Sequence, residues 1–164
     1  MTVLTTKRLK LRAAQDDDLA PLFAIYSNPV AMKFWDSKPH ETPEDTKPLV
    51  NRLRTPKALP YLVWDLDGTA IGTGGVHRDA EIGFVLHPDY WGMGFAREAL
   101  SSIIDHIWET SDLLQIVAEA DPRNLASVGL MTRLGFQVTG YASKNFYFAG
   151  KWSDSVYLRL PKPS

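Results

Sequence analysis

The sequence predicts an α+β domain with a mixed, mostly antiparallel central sheet flanked by helices, and three features carry that prediction. Asp67-Gly68 is a hairpin turn signal between the apolar runs 61–66 and 70–77. Ala96, Ala99, Leu100, Ile103, Ile104, Ile107 and Trp108 recur at steps of three and one, the stripe of a helix lying on a sheet. A strand-like run at 114–120, a helical pattern after Asn124 and a second run at 136–141 require one strand-helix-strand crossover within the same sheet.

In chain order, Leu9, Leu11 and Ala13 alternate with Lys10 and Arg12, which predicts a half-buried first strand. Asp16 or Asp17 then caps a helix whose Leu19, Leu22, Phe23 and Tyr26 share a face, and Asn28-Pro29 breaks it. Residues 36–60 carry Pro39, Pro43, Pro48, Pro56 and Pro60. Thr42-Pro43-Glu44-Asp45 reads as a helix start with Leu49, Val50 and Leu53 inward, but an interior proline costs about 3 kcal/mol, so this helix is expected to be irregular. The second, third and fourth strands are 61–66, 70–77 and 81–86, in one meander; the fifth is 114–120. Leu125, Val128, Met131 and Leu134 line a helix that Gly135 stops, 136–141 resumes a strand, and 144–148 with 155–160 form a closing hairpin around Ala149-Gly150.

Composition narrows the function. A chain of 164 residues, 45% hydrophobic and 23% charged, has the statistics of one globular domain over 1–164. A net charge of −1 with 18 scattered basic residues argues against a nucleic-acid surface. Cysteine is absent, which excludes disulfides, thiolate metal sites and cysteine nucleophiles. The four histidines lack ligand spacing, so no metal is expected. No apolar stretch nears the roughly 18 residues of a membrane span, and a cytoplasmic monomer or homodimer is the expectation.

The chemistry is concentrated at Trp91-Gly92-Met93-Gly94-Phe95-Ala96, a small-residue turn between a strand end and the start of the long helix. Glycines let a ligand approach the backbone, and free first-turn amides with the helix dipole favour an anion by about 0.3–1 kcal/mol. The turn reads as a pyrophosphate cradle. A dinucleotide fold fits poorly because an antiparallel meander precedes it, and the Gly-Lys-Ser/Thr of a Walker loop is missing.

Four segments in order resemble the GNAT superfamily of acyl-CoA N-acyltransferases, in particular the RimJ/RimL-like branch, over almost the whole chain. They are Thr6 to Arg12, Glu81 to Leu100, Asp121 to Ser127 with Arg133-Leu134-Gly135-Phe136, and the final hairpin. Where the general motif begins with Gln or Arg, this chain has Trp91-Gly92, a familiar start in that branch. The resemblance implies a GNAT fold split between the fourth and fifth strands, with acetyl-CoA as co-substrate in the split between Phe84 and Val117. Amides across Trp91, Gly92, Met93, Gly94, Phe95, Ala96 and Arg97 would take the pyrophosphate. Phe84, Val85 and Leu86 would pair with the pantetheine arm like an added strand, and a backbone N–H near Val85 or Leu86 would hold the oxyanion.

An amine with a pKa near ~10 must lose a proton before attacking a thioester, so a base or a water chain is required. Related enzymes carry a Glu five residues ahead of the Asn; Glu119 holds that place before Asn124 and is either the base or a glutamate on an exposed strand face. Glu81, opening the cofactor strand, is the second candidate or a strand-end carboxylate. The tyrosine acid of some relatives is replaced by Met131, while Ser127 matches a serine that contacts the thioester sulfur. Asn124 is both a helix cap and a pantetheine contact. The implied reaction is direct acetyl transfer to a peptide N-terminus or a small-molecule amine; a non-catalytic acyl-CoA sensor and a nucleotide-binding module are the rivals. Phe34, Trp35, Tyr141, Phe146 and Tyr147 are candidate acceptor-pocket aromatics or core.

Overall fold

The computed structural model describes residues 2–55 and 57–164; Met1 and Pro56, the latter one of the prolines noted above, lie outside the described residues. Eight strands form one sheet in the order β1-β2-β3-β4-β5-β6-β8-β7: β1 (Leu4–Thr5), β2 (Lys10–Arg12), β3 (Tyr61–Leu66), β4 (Thr69–Arg78), β5 (Glu81–Leu86), β6 (Gln115–Ala120), β7 (Gln137–Phe148) and β8 (Lys151–Pro161). The helices are α1 (Leu19–Tyr26), α2 (Pro43–Arg54), α3 (Phe95–Thr110) and α4 (Leu125–Arg133). Every neighbouring pair is antiparallel except β5 with β6, the single parallel contact that the crossover through α3 demands.

Several expectations are corrected in detail. The opening segment makes two short strands, so the expected split falls between the same residues but between the fifth and sixth strands, β5 and β6. Asp16 and Asp17 do not cap the first helical stretch: Gln15 is its N-cap, and Asp18 reaches back to it, its Oδ2 accepting the Gln15 N–H at 2.7 Å while the same carboxylate holds the buried Arg12 at 2.7 Å. α2 is a continuous helix despite Pro48. Its N-terminus is fixed by Asp45, which accepts the Thr42 N–H at 3.1 Å, and its Leu49, Val50 and Leu53 are buried. That packing offsets the one backbone hydrogen bond a proline deletes. The strand expected at 136–141 runs on into the closing hairpin as one strand, β7, with register irregularities in place of a break.

Strand alternation sends the apolar side chains to two separate clusters. Leu11, Trp64, Ile71, Ile82, Ile116 and Leu158 pack with the α3 stripe of Ala99, Leu100, Ile103 and Ile107 on one face. Val63, Ala70 and Val85 pack on the other face with Leu22, Ile25 and Tyr26 of α1 and Leu49, Val50 and Leu53 of α2. Trp64 needs the glycines of β4: a Cβ at Gly74 would come within 2.4 Å of its ring and 2.8 Å of the Phe84 Cβ.

Candidate active site

β5 and β6 touch only at their beginnings, where Glu81 faces Val117 and the Val117 N–H donates to the Ala80 carbonyl at 3.0 Å. From there they diverge. The His87 N–H donates to the Ile71 carbonyl at 2.9 Å, so strand alternation turns Val85 and Gly83 toward β4 and leaves the amides of Phe84 and Leu86 directed into the opening. Of the two residues expected to supply an oxyanion donor, Leu86 faces the split; Val85 is corrected, because its backbone belongs to the β4 ladder and its side chain is buried against α1 and α2.

The mouth of the split is closed by the loop into α3. Trp91 is 48% exposed yet fixed, its indole N–H donating to the Leu86 carbonyl at 2.8 Å. Gly92 and Gly94 lie at φ +73° and +81°, where a side chain is strained. The space a Cβ would enter at Gly92 holds no atom within 4 Å, and at Gly94 only Arg8 Nη2 at 3.4 Å. Among the described residues the amides from Gly92 to Arg97 meet no acceptor, the first-turn condition for an anion site. Met93 is exposed and its carbonyl accepts from Arg8 Nη1 at 2.9 Å; Phe95 is buried under the same guanidinium, 4.0 Å from its ring centre. Arg8 also pairs with Glu98 at 2.8 Å, which ties the first turn of α3 to the chain ahead of β2. Ala96 is half-buried and Arg97 exposed.

Across the opening, Asn124 caps α4, its Oδ1 accepting the Ser127 N–H at 3.2 Å, which leaves its amide nitrogen and the half-buried Ser127 hydroxyl for a ligand. Met131 is in the core, 3% exposed, so nothing on α4 replaces a tyrosine there. Glu119 is half-buried on β6 opposite Tyr157 of β8. Burial and the Glu119 carboxylate push the Tyr157 phenol upward, so Tyr157 stays protonated beside it. Glu81 lies on the same face as Val117 and Glu119, bonded to His77 Nε2 at 2.7 Å and to Arg78 at 3.3 Å. Burial opposes its ionisation, but the bonds from His77 and Arg78 prevail and hold its carboxyl below the usual range.

The His77–Glu81 pair is a product of the sheet register. His77 reads in the sequence as a strand-end histidine; a register shift after Val76 sets it beside Glu81, and Gly83 makes room for the ring, since a Cβ there would lie 3.2 Å from it. The sequence signal is the His-x-x-x-Glu spacing across the tight turn at Asp79-Ala80. His77 forms one wall of a cavity of about 400 Å³, whose other walls include Tyr26, Trp35, Leu49, Arg52 and Tyr61. Thr73 Oγ1, buried behind the wall, bonds to both phenols, at 2.8 Å to Tyr26 and 3.1 Å to Tyr61. Of the aromatics proposed for an acceptor pocket, Trp35 lines this cavity. Phe34 lies under Arg123 at 5.8 Å, and Tyr141 and Tyr147 are exposed on the hairpin. Among the described residues no cluster of three metal-ligating side chains occurs, and no helix is long and apolar enough to cross a membrane.

This geometry has close counterparts. The chain is 30% identical to the uncharacterized N-acetyltransferase YnaD of Bacillus subtilis, over 96% of this chain and 95% of that one. A spermidine N-acetyltransferase from Vibrio cholerae, solved with CoA and spermine, superposes with a TM-score of 0.79 at 25% identity, covering 94% of this chain and 96% of that one. The ribosomal-protein-S5-alanine acetyltransferase of Vibrio fischeri, at 23% identity, shares the fold with a TM-score of 0.82 over 100% of this chain and 98% of that one. Residues 8–137, from the arginine beside the amide cradle to the first residue of β7, match the model of the acetyltransferase (GNAT) domain. With a forked sheet, a bare amide cradle at its mouth and that match spanning both, the chain belongs to the GNAT acetyltransferases and is an acyl-CoA-dependent N-acetyltransferase.

Proposed function

We propose that the enzyme moves an acetyl group from acetyl-CoA to a primary amine by direct attack within a ternary complex. The observation that carries this reading is the relation of the two openings. The β5–β6 split leads from the Gly92–Arg97 amides, while the cavity on the α1–α2 face has His77 in its wall, bonded to Glu81 where β5 meets β6. Pyrophosphate would sit on the amides of Gly92 to Arg97, and the pantetheine arm on the free amides of Phe84 and Leu86 and the side chain of Asn124.

The amine gives a proton to a base, its lone pair attacks the thioester carbonyl, and the C–S bond breaks, leaving an amide and a CoA thiolate that takes up a proton. Two carboxylates are available as base. Glu81, with His77 at the cavity wall, is better connected to an incoming amine than Glu119, whose neighbour is the Tyr157 phenol. The Leu86 amide supports the oxyanion, and Ser127 contacts the sulfur as it leaves. Relatives named as a spermidine N-acetyltransferase and a ribosomal-protein-alanine N-acetyltransferase support amine acetylation as the reaction class. The Trp91-Gly92 start supports the RimJ/RimL-like branch, and the cysteine-free composition is consistent with a reducing cytoplasm.

Thiol release from acetyl-CoA, measured with a panel of peptides and small amines, tests the reading. Amine-dependent release following sequential kinetics is expected. Tight CoA binding with no release above hydrolysis for any amine would instead identify an acyl-CoA sensor.

A further inference from the structure

The cavity on the α1–α2 face is lined by side chains of both charge signs, Arg52 and Lys57 with Asp36 and Asp45. α2 turns Asp45, Leu49, Arg52 and Leu53 toward it, spaced as one helix face. Two arginines end this helix. Arg54 is paired with Asp16 at 2.5 Å, whereas Arg52 makes no ion pair with any described residue. It lines the cavity together with Tyr26 of α1, Tyr61 of β3 and His40. Lys57, also in the wall, is a second cation without an ion-pair partner among the described residues. His40 adds no charge near neutral pH, because burial pushes its imidazole down. Asp45 is already engaged, its carboxylate accepting the Glu41 and Thr42 amides at 2.9 and 3.1 Å.

The cavity's other acidic groups are Asp36 in the wall and Glu81, which pairs with the wall residue His77 at 2.7 Å. Trp35, Leu49 and Leu53 supply apolar surface in the same wall. A polyamine would bring a positive charge against Arg52 and Lys57, whereas a zwitterion matches both signs: ammonium toward Asp36, carboxylate on the guanidinium. A volume of about 400 Å³ accommodates one amino acid with a sizeable side chain.

We propose that the acceptor is a free α-amino acid with an apolar side chain, and that Arg52 is the residue that recognises its carboxylate. This rests on the transferase reading above. Arg52 is a specificity residue outside the acetyl-transfer chemistry.

The test compares L-phenylalanine and L-leucine with their carboxamides, with spermidine and with an alanine-initiated peptide, at saturating acetyl-CoA. The acid and its amide differ at the carboxylate, and the amide has the more readily deprotonated amine, so a preference for the acid reports recognition. The expected kcat/KM ratio of acid to amide is at least tenfold in the wild type. Arg52→Gln should collapse it toward one through KM, with KM for acetyl-CoA unchanged, and Arg52→Lys should restore part of it. Calorimetry of N-acetyl-L-phenylalanine against its amide on CoA-loaded protein gives a readout independent of turnover, with the same dependence on Arg52. Equal use of acid and amide, or spermidine as the best acceptor, overturns the proposal and leaves the transferase reading standing. No thiol release from any amine, with carboxylate-selective binding that Arg52→Gln abolishes, faults the transfer reaction and not the pocket. An Arg52 whose role is only to complement the C-terminal end of α2 would leave both ratios unmoved and would also overturn it.

Discussion

Adding a single methyl group at Gly94 separates the amide cradle from the rest of the fold. Gly94 caps α3 at φ +81°, so alanine there carries a left-handed penalty of about 1–2 kcal/mol. Its Cβ would lie 3.4 Å from Arg8 Nη2, an ordinary contact, so no steric cost to the protein is added. The cost to the ligand is larger. A phosphate oxygen must come within about 2.9 Å of the amides to bond to them, and forfeiting one charge-assisted bond is worth about 1.5–3 kcal/mol. At about 1.4 kcal/mol per tenfold, CoA affinity should fall by roughly 10–150-fold. Gly68→Ala is the matched control: φ is +94°, no atom lies within 4 Å of the Cβ position, and the turn joins β3 to β4 outside the 92–97 loop. Both variants should lose similar thermal stability. Only Gly94→Ala should show weaker CoA in calorimetry and a raised KM for acetyl-CoA. Unchanged CoA binding by Gly94→Ala, or equal weakening by Gly68→Ala, would refute the placement of the pyrophosphate on this turn.

Other outcomes are expected from the same geometry. Glu81→Gln should lower kcat/KM at pH 7 by about 10²–10⁴-fold, with recovery as pH rises toward the amine's own pKa; Glu119→Gln, assayed alongside, should have the smaller effect, and the reverse order would move the base to β6. Because the Glu81 carboxyl is held below its unfolded value, its stabilisation is present above the unfolded pKa and is lost as pH falls through the folded one. Acid melts of the wild type and Glu81→Gln should therefore converge in strong acid, and parallel curves would count against it. Arg12→Met strands Asp18 and Asp65, bonded to it at 2.7 and 2.8 Å, and should cost about 3–5 kcal/mol in urea unfolding. Ser127→Ala should reduce kcat with little change in amine KM; an unaltered kcat would remove the hydroxyl from the reaction.

Local chemistry made much of this legible. The α3 stripe, the Asp67-Gly68 turn and the glycines before Phe95 each declare themselves within a few residues, and the cradle amides follow from helix geometry alone. Elements whose stability is tertiary were misjudged. Pro48 argued against a regular helix because the compensating partners of α2, among them Ile25 and Val63, are remote in sequence. The His77–Glu81 pair depends on a register shift that only the sheet defines, and the cavity takes walls from α1, α2, β3 and β4 together, so its residues carry no shared pattern.

The sheet keeps its two apolar clusters apart, one gripping α3 and the other α1 and α2. On the placements proposed above, the donor cradle rests on the α3 layer and the acceptor cavity on the α1–α2 layer. Exchange of residues above the cavity should then alter amine preference while the layer under the cradle keeps its packing. A library confined to positions such as 35, 36, 52 and 57 would sample acceptor preference at little risk to folding.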